Sequence, residues 1–287
     1  FILCISDITY LYNQHMDIPK ILPIWQPAGF STHIISSKVG EKYGTITSHT
    51  GTLDPMAEGV IIILTGKERH MKYDYAAWTK EYVFEIVFGI STDTYDGLGI
   101  VTSFHGTHIT KEALKDAISE FEGDYIQDVP PYSSVKVKGK PLHWFARNKK
   151  LAGVDIPRKA GQIHEIELVD FYSKDFGHIV ENISDRIDLV TGDLRQDLIK
   201  TRWLQLRESL EETKSLQVAK VRVVMSRGMY VRSLAQDISA AVNDSGFVYS
   251  LVRTRNGEYT KKNVETMEDV FGKKYMDEFD FVSRTTS

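Results

Sequence analysis

Ser48-His49-Thr50-Gly51-Thr52-Leu53-Asp54-Pro55-Met56-Ala57-Glu58-Gly59-Val60 runs directly into Ile61-Ile62-Ile63-Leu64. A polar loop with two glycines thus opens into a continuous apolar run, and such a run bounded by turn residues reads as a buried strand. Pro55 has a restricted φ and biases Asp54 away from helical geometry. Gly51 and Gly59 permit sharp bends on either side. Asp54 is the only acid between Glu41 and Glu58. One carboxylate held rigidly, with no second acid beside it, suits nucleophilic chemistry better than paired acid–base chemistry. The same residues also read as an Asx turn, because Asp-Pro commonly starts turns.

Outward from this loop, the chain alternates strand and helix signals. Ile21–Trp25 is a short apolar strand that Pro23 assigns to an edge. Ser31 or Thr32 stands where a cap is needed for a helix ending at Tyr43. Lys80–Gly89 alternates as a half-buried strand, and Val218–Val223 alternates more strictly within a strand over 217–225. Thr110 caps an amphipathic helix ending at Phe121. Glu165–Tyr172 is a further strand. Residues 173–215 then interrupt the pattern, with one helix expected over Asp193–Lys214. Its mixed charges assign it no function, and a structural appendage is the expected reading. Thr260 is the expected cap of a last helix ending near Val270.

Composition bounds the possibilities. The 287 residues are 42% hydrophobic and 26% charged, enough for one large domain or two small ones. A single cysteine excludes a disulfide framework and a multi-cysteine zinc site, and fits a reducing compartment. No run of eighteen apolar residues is present, so no membrane span is expected. The formal net charge is −4, yet Lys136, Lys138, Lys140, Arg147, Lys149, Lys150, Arg158 and Lys159 face Asp155 alone between Lys136 and Lys159. That local basicity, interleaved with Tyr132, His143, Trp144 and Phe145, reads either as a solvated charged face or as a surface that neutralises phosphates and packs against RNA.

His-Thr-Gly-Thr-Leu-Asp-Pro-x-Ala-x-Gly-Val, from His49 to Val60, resembles the catalytic motif of the TruB-type tRNA pseudouridine synthases. That family isomerises uridine 55 in the T loop of tRNA. Further motifs follow in the family's order: Gln26–Thr32, Lys80-x-Tyr82, Ser91–Gly99, Pro130–Arg147, Ser226–Ile238 and Ser250–Thr260. Two of them depart from the pattern. Gln26 stands where lysine is usual, and Ser133 replaces an aromatic residue that has moved to Tyr132.

The resemblance implies an α+β (mixed α/β) pseudouridine synthase fold, with a central, mainly antiparallel mixed sheet and flanking helices. It implies a catalytic domain over residues 16–272, containing a basic RNA-binding segment at 130–160 and an insertion at 173–215. Residues 1–15 read as an N-terminal extension or a mis-set start, because Met16 falls about where members of the family begin; residues 273–287 read as a C-terminal tail. Asp54 is the implied nucleophile, Arg232 its partner, and Tyr82 the residue that packs on the flipped uracil and moves the C5 proton. RNA contacts are implied for His49, which fills space left in the T loop, and for Thr52, Lys80, Asp96, Lys136, Lys138, Arg147, Tyr230 and Arg253. Arg255 is also a candidate for phosphate. No cofactor or metal is implied. The implied partner is the T stem-loop of tRNA, and a cytoplasmic monomer needing no protein partner is expected.

A non-catalytic tRNA-binding or folding module of the same fold is the alternative. Gln26 and Ser133 favour it; the intact Asp54, Tyr82 and Arg232 oppose it. A guide-RNA-dependent relative is disfavoured by the lack of room for a complete C-terminal RNA-binding domain. A metal-dependent phosphoesterase using Asp93, Asp96 and a histidine ranks last, because the histidines do not cluster at ligand spacing.

Overall fold

The computed structural model describes residues 17–105, 108–190, 192–210 and 214–273. The proposed extension at 1–15 and the tail beyond residue 273 lie outside the described residues. In chain order the strands are β1 (Ile21–Gln26), β2 (Thr47–His49), β3 (Glu58–Thr65), β4 (Lys80–Phe88), β5 (Ile90–Thr92), β6 (Val101–Phe104), β7 (Gly123–Asp128), β8 (Lys136–Val137), β9 (Lys140–Pro141), β10 (Arg158–Asp175), β11 (Ser215–Met225), β12 (Gly246–Asn256) and β13 (Tyr259–Thr260). The main sheet runs β1-β3-β12-β4-β11-β10-β7, with β2 paired to β3 and β13 to β12. All its pairings are antiparallel except β3 with β12. This is the mainly antiparallel mixed sheet that the resemblance implies. Pro23 lies on the edge strand β1, as a residue without an N–H requires.

The apolar run after Asp54 is continuous because both faces of β3 are covered. Ile61 and Ile63 enter the main core, while Val60, Ile62 and Leu64 enter a smaller cluster with Trp25, Trp78 and Tyr259. The register brings Glu58 beside Val252, and Lys80 beside both Met225 and Asn256. The loop before β3, the start of β4, the end of β11 and the late part of β12 therefore meet at one end of the sheet. The helix Val231–Ala241 begins there and buries Leu234, Ala235 and Ile238.

Four expectations about segments are corrected. The last described helix is Met267–Phe271, capped by Thr266 and Asp269 in a reciprocal capping box, rather than by Thr260. Thr260 instead closes a turn with Asn263. Among the described residues of 173–215, read from sequence as an insertion with one helix, there are two, Phe176–Leu189 and Gln196–Ser209. Nor is this segment an appendage: Phe176, Ile179, Val180, Ile183, Ile187, Ile199 and Trp203 all belong to the main core. The Trp203 ring centre lies 5.2 Å from that of Phe247 on the central strand β12. Strand β10 is also longer than expected, because its first part pairs with β7 and the remainder with β11.

Candidate active site

The loop carrying Asp54 is held from several sides. Gly29 donates its N–H to the Pro55 carbonyl at 2.8 Å, and Ala57 donates to the Asp54 carbonyl at 2.9 Å. The Leu53 N–H donates to the Thr32 hydroxyl at 3.1 Å, and that hydroxyl donates to Gln26 Oε1 at 2.6 Å. Gln26 is fully buried, and its amide also donates to the Phe30 carbonyl at 2.8 Å. The departure from lysine thus leaves a neutral tie between β1 and the Asp54 loop, with no buried charge to compensate. Thr32 is engaged in this tie; Ser31 occupies the cap position of the helix Thr32–Tyr43, without a side-chain cap bond.

Arg232 meets Asp54 in a two-pronged pair, Nε to Oδ2 at 2.9 Å and Nη2 to Oδ1 at 2.8 Å. The guanidinium is 4% exposed and the carboxylate 29%, so the buried cation aims the more accessible anion. Arg232 also donates to the carbonyls of Thr94 at 2.9 Å and Tyr132 at 3.2 Å. Asp96 lies behind it, 3.7 Å from Nε. Burial opposes the charge of Arg232, but Asp54 and Asp96 outweigh it and raise its pKa. Burial pushes the Asp96 carboxyl up to about 6, against the pull of Arg232 and hydrogen bonds from Thr94 and Leu98. Asp96 is therefore an internal counter-charge in the site, not the RNA contact assigned from sequence.

Asp54 stands on the wall between two cavities. One, of about 670 Å³, is lined by Thr52, Asp54, Lys80, Tyr82, Tyr230 and Arg253 among others. The second, of about 590 Å³, has Asp54, Asp96, Tyr132, Arg147, Arg195 and Arg232 in its walls. Tyr82 reaches the first from the start of β4, opposite Arg253 in the register. Tyr230 borders both, and burial raises its phenol pKa. Lys80 is buried, donates to the Ala76 and Trp78 carbonyls at 2.6 and 2.5 Å, and is lowered to about 8, first by burial and then by Arg253 and Arg227.

Arg253 is corrected from a phosphate contact. It is 2% exposed, and its Nε donates to the Val60 carbonyl at 2.6 Å while Nη1 reaches the Thr52 carbonyl at 3.4 Å. It therefore fixes the loop to β3. Arg255, partly exposed, lies 3.8 Å from Glu81. His49 lies on β2, where burial, then His33, Lys72 and Arg253, lower its pKa and favour the neutral ring. Thr52 is exposed at the rim.

The basic segment forms the small hairpin β8–β9 and the helix Leu142–Arg147, with Lys136, Lys138 and Arg147 exposed. Lys140 sits 3.6 Å from the centre of the Trp144 ring. Asp93 and Asp96, the carboxylates of the phosphoesterase alternative, have other partners: Asp93 pairs with Arg195 and Tyr132, and Asp96 faces Arg232. Among the described residues no three His, Cys, Asp or Glu side chains group to hold a metal ion, and no helix is long and apolar enough to cross a membrane.

Two supporting residues escaped the sequence reading. Gln127, buried on β7, donates from its amide to the Tyr230 carbonyl at 3.1 Å and accepts from the Tyr230 N–H. Its signal is a polar residue at an inward position of an alternating strand. Arg195 carries no comparable local signal.

Comparison with known proteins fits this geometry. Residues 41–185 match the model of the TruB family pseudouridylate synthase, N-terminal domain. The tRNA pseudouridine synthase B of Caldanaerobacter subterraneus subsp. tengcongensis is 31% identical over 258 residues, covering 89% of this chain and 75% of that protein. The protein of the same name from Malacoplasma penetrans is 29% identical over 253 residues, 87% of this chain and 90% of that one. Among solved structures, a chain of a Cbf5-Nop10-Gar1 complex superposes with a TM-score of 0.56 at 18% identity, over 91% of this chain. This chain spans 56% of that chain's length. A structure of an H/ACA RNP bound to a substrate RNA containing 2′-deoxyuridine gives 0.53 at 16% identity, over 91% of this chain and 55% of that one. At those identities the likeness is one of fold.

Proposed function

Because the chain belongs to the TruB family of pseudouridylate synthases, we propose that it isomerises uridine 55 in the T loop of tRNA to pseudouridine, with Asp54 as nucleophile. The observation that carries the reading is the Asp54–Arg232 pair, a half-accessible carboxylate held by a buried guanidinium at the wall of a cavity that also contains Tyr82. The uridine leaves the stack of its loop to enter that cavity, since neither its glycosidic bond nor its C6 is reachable within the stack. The C1′–N1 bond breaks, the uracil turns, C1′ bonds to C5, and the C5 proton leaves as N1 gains one. Atoms and electrons balance within the substrate, so the overall isomerisation consumes no redox partner.

In this reaction the two-pronged pair with Arg232 holds the Asp54 carboxylate aimed. Tyr82 packs on the uracil and moves the C5 proton. Thr52 and Tyr230 border the entry. Lys136, Lys138 and Arg147 neutralise phosphates of the T stem-loop, and His49 occupies space opened in the loop. The enzyme acts as a cytoplasmic monomer without a protein partner. The test is pseudouridine formation on an unmodified tRNA transcript in the presence of EDTA, for the wild type and Asp54→Asn. The wild type is expected to modify the T-loop uridine alone, and Asp54→Asn to bind tRNA with turnover abolished. Binding without product in the wild type would favour the non-catalytic module.

A further inference from the structure

The connection between the two inserted helices reaches the cavity on the Arg232 side, where Asp193, Leu194 and Arg195 form part of the wall. Arg195 has φ 69° and ψ 31°, the left-handed region. A residue with a Cβ is disfavoured there, because the Cβ crowds the following carbonyl oxygen. The backbone turn is set locally: the Arg195 N–H donates to Asp193 Oδ1 at 3.2 Å, and its carbonyl accepts from the Ile199 N–H at 3.0 Å.

The side chain is engaged at its far end. Nη1 donates to Asp93 Oδ2 at 2.7 Å and Nη2 to Oδ1 at 3.4 Å. The guanidinium lies 4.7 Å from the centre of the Tyr132 ring. The Tyr132 hydroxyl donates to the same Asp93 Oδ2 at 2.9 Å. Arg195, Asp93 and Tyr132 thus close a three-membered cluster. From Tyr132 the nucleophile is one residue away. Its carbonyl accepts from Arg232 Nη2 at 3.2 Å, and that nitrogen also holds Asp54 Oδ1 at 2.8 Å. A second tie runs alongside, from Arg147 Nη2 to the Asp193 carbonyl at 2.6 Å.

We propose that Arg195 is a positioning residue for the Asp54–Arg232 pair, through which the inserted hairpin holds Tyr132 and so fixes the direction of the Arg232 fork. The proposal deepens the pseudouridine synthase reading and rests on it. Its physical basis is that Arg232 is buried and shares one nitrogen between Asp54 and the Tyr132 carbonyl. If Tyr132 moves, a buried donor loses an acceptor and the fork turns to recover one, taking Asp54 off aim. Loss of Arg195 would also leave Asp93 without its ion-pair partner beside a cavity that already holds Asp54 and Asp96. The insertion is placed for such a role. A Cβ on Gly29, whose N–H binds the Pro55 carbonyl, would lie 2.5 Å from the Leu189 carbonyl oxygen, and one on Gly97 would lie 3.3 Å from Ile183. The hairpin thus packs directly beneath two loops of the site.

The test compares the wild type with Arg195→Ala, Arg195→Lys and Tyr132→Phe in single-turnover pseudouridine formation at saturating enzyme. It adds tRNA binding constants and hydrogen exchange of residues 128–135. For Arg195→Ala the rate constant is expected to fall roughly tenfold or more, with binding within about twofold. Exchange is expected to quicken in 128–135 but not in 58–65. Arg195→Lys should recover only part of the rate, because an ammonium lacks the flat two-nitrogen fork. An unchanged rate constant would overturn the proposal. So would a loss confined to binding, which would make Arg195 an RNA contact. Should Arg195→Ala fail to fold, Tyr132→Phe removes only the hydroxyl bond to Asp93, and an unaltered rate there also overturns it. Failure of the wild type to make pseudouridine would sink the synthase reading instead. The exchange experiment would then still decide whether Arg195 holds residues 128–135, and unchanged exchange would overturn the positioning role.

Discussion

Asp96 shows how one residue's environment reassigns it. In sequence it is one of two acids in a glycine-containing loop, open to solvent, metal or RNA. In the structure it is 4% exposed, accepts from Thr94 and Leu98, and faces Arg232. Burial raises its carboxyl from the ordinary 3.8 to about 6. The native state therefore binds this proton more tightly than the unfolded chain does. Its contribution to stability is complete below the unfolded value and is lost as pH rises through about 6. Urea denaturation should accordingly show the wild type losing stability relative to Asp96→Asn between about pH 4 and about pH 7. A difference that stays flat with pH would contradict the burial cause. Arg232 needs the opposite argument: two carboxylates and two carbonyls make its buried charge tenable, so its place is decided by partners distant in the chain.

At the scale of elements, β3 was the most legible. The bounded apolar run predicts a buried strand, and alternation explains the continuity once each face has its own cluster. Its entry is decided by Gly59, which has φ 130° and meets Arg253 in the parallel pairing with β12. An added Cβ would lie 2.3 Å from the Arg253 carbonyl oxygen. Gly59→Ala should therefore destabilise the fold by about 2–3 kcal/mol in urea denaturation, and turnover should fall because the displaced strand begins four residues after Asp54. Unaltered stability would show that β12 yields freely. The inserted helices were less legible. Phe176, Ile179, Val180, Ile183 and Ile187 carry helical spacing, yet this run adjoins a strand without an intervening loop, and the strand–helix boundary rests on the Asp175 cap alone. For the last helix the sequence reading places the cap at Thr260; the reciprocal bonds of Thr266 with Asp269 put it six residues later.

Among the described residues the main hydrophobic core runs across the sheet, the flanking helices and the insertion, with the smaller cluster on the other face of β3. Trp203, 1% exposed and packed on Phe247, joins the hairpin to the central strand. Trp203→Ala should lower global stability by about 3–5 kcal/mol, in a single transition seen equally by probes in the insertion and in β12. A separate early transition confined to the hairpin would return it to the status of an appendage. Charge also becomes intelligible only at this scale. The net −4 hides the exposed basic segment, while some acids are engaged by buried partners, as Asp54 and Asp96 are by Arg232.

The sequence by itself determined the Asp54 loop, the buried character of the strand that follows, the edge position of β1 and the basic segment. All of these follow from short-range restrictions: proline and glycine dihedrals, side-chain periodicity, and charges counted over neighbours. The motif resemblance added the pairing of Asp54 with Arg232, which local physics could not supply. Only the tertiary structure decided that Asp96 and Arg253 act inside the protein, that Gln26 replaces a cation with a neutral tie, and that Arg195 closes on Asp93 and Tyr132. Those outcomes depend on which distant groups share a buried volume. In such a volume a polar side chain takes the partner that satisfies it, and that partner is set by the packing of the sheet and helices as a whole.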